Sequence, residues 1–499
     1  MADTKREIER KYESGDNGLP DLTGVDAVAD VLDQGLAELD ATYYDTADER
    51  LAAGSLTLRR RTGGGDAGWH LKFPVAPGVR DEIRAPLSDT VPHEIAALVR
   101  SRVRDAELIP LVRLRSARDV RHLVDADGRL LAEASVDTVT AERLTGPGGT
   151  AQWTEIEIEL ADDGDPAFLD RVEERLRKAG VRPSSSPSKL ARALEQTGGR
   201  RPARQPKPVT AGDHVLAYLR TQRDELVTLD PAVRRDLPDS VHRMRVATRR
   251  ARSTLRTFRS VLDRTVTDPL ATELKWLAGE LGLDRDQEVL ADRLSTALTA
   301  LPPGLVTGPA AERLAAWSSA RHDSAHAHLA AILDSHRYLT LLDTLDALLA
   351  DPPLRKAAGR KPGKVLAKAV RKDVKRLTGL VEHALHLPPG EDRDHALHEA
   401  RKKAKRTRYA AEAATPALGD PARALTKSMK SLTTLLGEHQ DSVMARQTLR
   451  ELAAVAHAAG ESTFTYGVLY GREEQRASAA EAELKGRWER IGSEASLRA

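Results

Sequence analysis

Two patterns of apolar positions divide the chain. Up to about residue 196, apolar and polar residues mostly alternate, which is the period of a half-buried strand. Alternation runs through residues 4–13, 41–46, 56–61, 69–73 and 80–85, then through 111–124, 130–142 and 152–160. Turn signals separate several of these segments: Gly63, Gly64 and Gly65 in a row, Pro77 with Gly78, and Asp127 with Gly128. Eight strands with mostly short connections predict an antiparallel barrel or sandwich. Helical spacing is expected near residues 25–38, 92–100 and 167–179. From Asp213 onward the period is helical and Ala, Leu, Arg and Glu dominate, so this part should be all-α. Between the two lies TGGRRPARQPKPVT, residues 197–210, a basic Gly/Pro-rich stretch without apolar period that reads as an exposed linker. The expected domains are therefore 1–196 and 211–492, joined by 197–210.

In the first part, what alternates with the apolar residues is charge. Side chains two apart share a strand face. Glu7, Glu9 and Lys11 share one, as do Arg59 with Arg61, His70 with Lys72, and Glu82 with Arg84. So do Arg113 with Arg115, Glu133 with Asp137, and Glu155 with Glu157 and Glu159. The opposite faces carry Ile8, Leu58, Leu71, Phe73, Ile156 and Ile158. A solvated sheet face would explain any one strand. The whole set makes better sense if charged faces line a closed interior and apolar faces pack outward against helices. Interior charges of both signs need a ligand that complements both. Carboxylates suit hard divalent cations, and Arg and Lys suit phosphate oxygens. Together they point to a metal–polyphosphate ligand.

Glu7-Ile8-Glu9-Arg10-Lys11 has the form ExExK. Tyr43-Tyr44-Asp45-Thr46, Leu56-Thr57-Leu58-Arg59-Arg60-Arg61, Trp69-His70-Leu71-Lys72, the acidic stretch from Trp153 to Leu160 and Ser188-Lys189 follow in order. In these motifs residues 1–196 resemble the CYTH superfamily, the triphosphate tunnel metalloenzymes. The resemblance implies an α+β domain, an eight-stranded antiparallel β tunnel with flanking helices that binds a linear triphosphate. It implies catalytic roles for Glu7, Glu9, Lys11, Glu157 and Glu159, with the four glutamates holding Mg²⁺ or Mn²⁺. Lys11, Arg59, Arg61, Lys72, Arg84 and Lys189 would grip phosphate oxygens. Arg115 and Arg118 are added as substrate contacts, although their opposite parity then requires a bulge. Glu133 and Asp137 are further inward acids. The implied reaction is metal-assisted attack of water on a terminal phosphorus, giving pyrophosphate and phosphate from inorganic triphosphate. Relatives of this kind act on inorganic triphosphate, thiamine triphosphate, RNA ends or ATP. Aromatic residues are only 3% of this chain, and Tyr12, Tyr43, Tyr44 and Trp69 read mostly as packing. That scarcity favours inorganic triphosphate.

The helical part contains a repeat. His242, Arg245, Arg249 and Arg252 stand at spacings of 3, 4 and 3, and His398, Arg401, Lys405 and Arg408 repeat them. Each set is followed by Leu-Gly with Asp four beyond: Leu281, Gly282 and Asp286, then Leu436, Gly437 and Asp441. Two pseudo-symmetric helical bundles are the natural reading. On a helix each set spans about 15 Å within about 80° of circumference. Like charges one turn apart repel, and a polyanion would offset that cost. The stretch from Val241 to Arg252 (VHRMRVATRRAR) and Trp276-Leu277 resemble the signature of the CHAD domain, whose members are helical and bind inorganic polyphosphate. The resemblance implies polyphosphate contacts at the eight repeat residues. Gln222, Lys368, Arg371 and Lys375 are candidates to extend the groove. His322 and His326, four apart, would be a metal pair only weakly, since no zincin-type Glu accompanies them.

Composition narrows the rest. With 77 Lys and Arg against 75 Asp and Glu the net charge is only +2, so charge matters here by its clustering. No cysteine is present, which excludes disulfides, thiolate metal sites and thiol catalysis. The first eleven residues lack an apolar core and no run of about 18 apolar residues occurs, so neither a signal peptide nor a membrane span is expected. The combined expectation is a cytoplasmic metal-dependent inorganic triphosphatase, associated with polyphosphate granules through its helical part. The alternative is a non-catalytic polyphosphate-binding protein that localises to such granules. Nucleic acid is disfavoured as a partner by the tunnel acids and the few aromatic rings.

Overall fold

The computed structural model describes residues 3–14, 18–198 and 206–494, without the side chains of residues 3, 283–288, 320–323, 325 and 492–494. The chain separates into two units, Met1–Gln205 and Pro206–Ala499. Of the expected linker, residues 199–205 lie outside the described residues.

Among its described residues the first unit carries nine strands. They are β1 (Asp3–Glu13), β2 (Asp30–Asp45), β3 (Thr57–Thr62), β4 (Gly68–Ala76), β5 (Val79–Ala85), β6 (Ile109–Val124), β7 (Leu130–Arg143), β8 (Gly149–Leu160) and the two-residue β9 (Arg182–Pro183). Neighbours pair in the order β5-β4-β3-β2-β6-β7-β8-β1, and β1 also pairs with β5. Eight antiparallel strands thus close into a ring. β1 closes it by changing partner: residues 3–8 pair with β5 and residues 9–13 with β8.

The apolar strand faces point out of the ring, as the alternation predicts. Helix α1 (Arg50–Ala53) is a single turn, α2 (His93–Val103) and α3 (Ala167–Lys178) cover the outside, and α4 (Lys189–Gln196) follows β9. Ile156 and Ile158 pack with Phe168, Val172 and Leu176 of α3. Leu58, Leu71 and Ile83 pack with Ile95 and Val99 of α2. Val112, Val139 and Trp153 instead share the inward parity of Arg118, Asp137 and Glu157, and they pack with Leu190 and Leu194 of α4 at one end of the ring interior. Each fully buried Leu, Ile or Phe contributes about 1.5–3 kcal/mol. Two cores therefore lie between ring and helices and the third closes one end of the interior, which leaves the rest of the interior to polar groups.

One element differs from expectation. Residues 25–38 are not a helix, for β2 begins at Asp30 and pairs with β6 from Asp30↔Val124 through Glu38↔Ala117. Val28, Val31, Leu32 and Leu36 do fall at helical spacing, yet Leu32 and Leu36 are exposed. Gly35, at φ +83°, follows a register shift after Asp33. Long-range ladder pairing overrides local periodicity here.

The second unit is all helical: α5 (Ala211–Arg234), α6 (Ser240–Thr257), α7 (Arg264–Thr299), α8 (Ala310–Asp334), α9 (His336–Ala350), α10 (Pro362–His386), α11 (Glu391–Leu418), α12 (Asp420–Ala458) and α13 (Phe464–Glu494). Thr210 opens α5 with a capping box: its hydroxyl accepts from Asp213 N–H, and the Asp213 carboxylate accepts from Thr210 N–H. The repeat maps α6 onto α11 and α7 onto α12, so α5–α8 and α10–α13 form two runs of four with α9 between them. Buried Met244, Ala247, Ala251 and Leu255 of α6 share one core with Ala400, Ala404 and Ala411 of α11. Small residues on α11 let the two helices approach closely. Among the described residues no helix is long and apolar enough to cross a membrane.

Candidate functional site

The ring encloses a chamber of about 330 Å³. Among the described residues nine cationic side chains line it: Lys5, Lys11, Arg59, Arg61, Lys72, Arg80, Arg84, Arg118 and Lys189. Six carboxylates stand between them: Glu7, Glu9, Asp66, Glu133, Glu157 and Glu159. Strand register explains the interleaving, because Glu9 lies opposite Glu159 and Lys11 opposite Glu157. The residues expected to hold metal or substrate are all brought together in this lining except one.

That one is Arg115, and its expected place is corrected. β6 runs in unbroken register with β7 from Val112 to Leu123, so only one parity can face inward. Arg118 does, bonding Asp137 at 2.7 Å and Glu157 at 2.6 Å. Arg113 and Arg115 face out, where Arg113 bonds Asp40 at 2.9 Å and Arg115, 60% exposed, stands 4.0 Å from it. Besides the loop acid Asp66, two cationic chamber residues escaped the sequence reading, Lys5 and Arg80. Both share parity with residues that were included, Glu7 and Glu82, so alternation alone could have found them.

Lys189 reaches the chamber from a helix. Ser188 caps α4 by accepting the Ala191 N–H at 3.1 Å, and Lys189 is the first residue of that helix. Its ammonium bridges Asp137 (2.9 Å), Glu155 (2.9 Å) and Glu157 (2.6 Å). Asp45, in contrast, serves the fold: it accepts the N–H groups of Thr46, Leu51 and Ala52 and so caps α1.

Two acidic hubs organise the charges. Glu82, fully buried, meets His70 at 2.9 Å, Arg84 at 2.5 Å, Lys72 at 3.4 Å and Arg59 at 3.7 Å. Burial alone would raise its pKa, but the His70 hydrogen bond, Lys72 and Arg59 hold it far below the usual carboxylate range. Glu157 is opposed by burial in the same way, and Lys11, Lys189 and Arg118 hold it well down. Glu7 differs. It bonds Lys72 at 2.5 Å, yet burial, with Glu82 and Glu159 nearby, leaves its pKa raised.

That surplus of negative charge is the observation that fits a divalent cation. Glu7, Glu9 and Glu159 in the chamber lining are oxygen donors, the type that suits Mg²⁺ or Mn²⁺, although their oxygens do not converge on one point. Asp137, Glu155 and Glu157 do converge closely enough to hold an ion, but the Lys189 ammonium already bridges all three.

In the second unit the repeat residues meet across α6 and α11. Lys405 is pushed down to about 7 by burial and by Arg401, Arg249 and Arg245, with Asp441 opposing. Contacts across the seam are exchanged by the duplication. Arg250 donates to Glu412 at 2.9 Å, and Arg406, its counterpart, donates to the carbonyl of Arg256, the counterpart of Glu412, at 2.7 Å. The Leu-Gly pairs acquire a reason as well. A Cβ on Gly282 would stand 3.0 Å from the Arg245 guanidinium, and one on Gly437 would stand 3.3 Å from that of Arg401. Each glycine makes room for the first arginine of its stripe. Arg401 also approaches Asp441 at 3.7 Å.

His242 is exposed and His398 half-buried, its pKa lowered by burial and then by Lys402. Arg252 and Arg408 are partly buried. Lys368, Arg371 and Lys375 are exposed along α10, whereas Gln222 is buried. The side chains of Asp286 and His322 lie outside the described residues. His326 stands 4.0 Å from Asp236.

Comparison with known proteins matches the CYTH domain model to residues 5–194 and the CHAD domain model to residues 217–450. The uncharacterized proteins MT2285 and Rv2226, from two strains of Mycobacterium tuberculosis, are each 39% identical over 496 residues, which is 96% of this chain and 95% of theirs. Among solved structures, PptA from Streptomyces chartreusis is 25% identical, with 56% of this chain and 100% of that one covered and a TM-score of 0.48. The CHAD domain of the plant Ricinus communis is 24% identical, with 60% and 96% covered and a TM-score of 0.44.

Proposed function

The chain belongs to the proteins that join a CYTH domain to a CHAD domain, and on that premise we propose that its first unit hydrolyses inorganic triphosphate to pyrophosphate and phosphate while its helical unit binds inorganic polyphosphate. CYTH proteins are triphosphate tunnel metalloenzymes with triphosphatase or cyclase activity. The observation that carries the finer reading is the chamber itself. Its volume of about 330 Å³ is small for a ligand site. Tyr43 is the one aromatic ring in its described lining, 4% exposed, with its hydroxyl 3.4 Å from Arg59. Tyr12 and Trp69 are fully buried, and Tyr44 packs on Trp69. A base or thiazolium ring has no platform there, whereas a bare phosphate chain finds cations on every side.

Lys11, Arg59, Arg61, Lys72, Arg84, Arg118 and Lys189 would hold the phosphate oxygens, joined by Lys5 and Arg80. Their rigid packing keeps the chain in line and meets charge that develops on the transferring group. Glu7, Glu9, Glu157 and Glu159 would hold Mg²⁺ or Mn²⁺, which when bound neutralises phosphate charge. The helical unit would bring the protein to cytoplasmic polyphosphate granules.

The test is phosphate release from triphosphate with Mg²⁺, with Mn²⁺ and with chelator, against ATP, thiamine triphosphate and long polyphosphate. Release from triphosphate should need the metal and vanish in Glu7→Ala/Glu9→Ala. No release from any substrate would leave the second reading, a binding protein without catalysis. One observation favours that reading: Lys11 and Lys189 already neutralise Glu157, where a metal would otherwise be drawn.

A further inference from the structure

The α6 stripe does not stop at Arg252. Arg256, four beyond Arg252, continues the stripe to about 21 Å from His242, and Arg259 follows just past the end of α6. The charges are neighbours in space as well. Burial and then Arg256, Arg249 and Arg406 depress Arg252. Burial likewise depresses Arg406, with Arg256, Arg376 and Arg259 adding to it and Asp373 opposing.

At Arg259 this line meets a cleft of about 510 Å³ lined by Arg259, Ser260, Arg264, Arg355, Lys356, Ala357 and Arg360. The described lining contains five cations and no carboxylate. Nearby acids temper two of them, since Arg264 pairs with Asp268 at 2.7 Å and Arg355 lies near Asp263. Arg259, Lys356 and Arg360 have no carboxylate partner among the described residues.

The loop that carries three of these cations is pinned along its backbone. Asp263 N–H donates to the Pro353 carbonyl (2.9 Å) and Arg355 N–H to that of Val261 (2.8 Å). Ala211 N–H donates to Arg360 (3.0 Å) and Gly212 N–H to Ala358 (2.9 Å). Gly212 lets that loop approach, for a Cβ there would lie 3.1 Å from the Ala358 methyl. A loop held this firmly cannot relax to separate its charges, so their repulsion persists until an anion arrives.

We propose that this cleft is a second phosphate-binding subsite, which takes the continuation of a polyphosphate chain seated on the α6–α11 seam. The inference rests on the polyphosphate reading of the helical unit. With no ring in its lining the cleft offers nothing for a base to stack on, so an inorganic chain fits it better than a nucleic acid.

The test is calorimetric binding of long-chain and short-chain polyphosphate to the full-length protein at fixed salt. Exposed charge contacts are worth about 0.2–1 kcal/mol each. Arg355→Ala/Lys356→Ala/Arg360→Ala should therefore weaken long-chain binding about tenfold and lessen its salt dependence. The advantage of long over short chains should shrink with it. The pinning bonds are backbone bonds, so the variant should keep its fold; Lys356→Glu alone serves if it does not, and should weaken long-chain binding several-fold. Long-chain affinity equal to the unaltered protein's would overturn the subsite. If Arg249→Ala/Lys405→Ala then still abolishes binding, the seam reading stands and only the cleft falls. Absence of polyphosphate binding by the unaltered protein would overturn both.

Discussion

Lys405 stands where the first repeat has Arg249, and that single exchange makes one half of the seam titratable. An arginine keeps its proton at any ordinary pH. Lys405 is pushed down to about 7, first by burial and then by Arg401, Arg249 and Arg245. The sign follows from linkage. Above pH 7 and below the usual lysine value of about 10.4, the unfolded chain holds a proton that the folded one has released, so this group's contribution to stability rises with pH across that window. Anion affinity moves the other way, because the seam loses a charge as pH rises through 7. Polyphosphate affinity should therefore fall several-fold between pH 6 and 8, and Lys405→Arg should flatten the slope; identical slopes would show that Lys405 does not titrate there. Lys189 gives a second prediction at this scale. Removing it leaves Asp137, Glu155 and Glu157 converging without its ammonium, a type of loss that costs about 3–5 kcal/mol. Lys189→Ala should unfold at lower temperature, and Mn²⁺ should recover part of the loss if the three carboxylates can take an ion.

At the scale of elements, the glycines of α7 and α12 separate binding from stability. Alanine in a helix interior is favoured over glycine by about 1 kcal/mol. The atoms that a Cβ would crowd at Gly282 and Gly437 belong to the mobile ends of Arg245 and Arg401. Gly282→Ala and Gly437→Ala should thus hold or raise the melting temperature while weakening polyphosphate binding, a pair of outcomes that calorimetry reads together. Strands were legible in the sequence by the same logic of faces. Alternation placed Glu7, Glu9, Arg59, Lys72 and Glu157 inside because a closed ring has one inward parity. It failed for residues 25–38, where β6 supplies a long-range partner that no local window contains. It failed for Arg115 because the needed bulge is absent. Lys189 was legible only as part of a motif, since a helix cap rather than a strand aims it.

At the scale of the molecule, each unit has its own cores, so the chain should unfold in two transitions rather than one. A ligand that binds only a folded unit raises that unit's transition. Triphosphate with a divalent cation should raise the transition of residues 1–205, and short polyphosphate that of residues 206–499. Scanning calorimetry of the whole chain and of the two halves checks this, and a single shared transition would show that the units fold together. The seam between α6 and α11 has a further consequence. Since the duplication exchanges Arg250–Glu412 with Arg406–Arg256, the seam offers similar contacts whichever end is approached first. An inorganic phosphate chain has identical ends and can be taken up either way round. A strand of RNA runs from 5′ to 3′, and only one of its halves could meet such a surface in the favoured sense. On the polyphosphate reading the seam itself thus sets no direction on its chain, and one end is marked only by the cleft past Arg259, since Glu412 and Thr415 stand at the counterparts of Arg256 and Arg259.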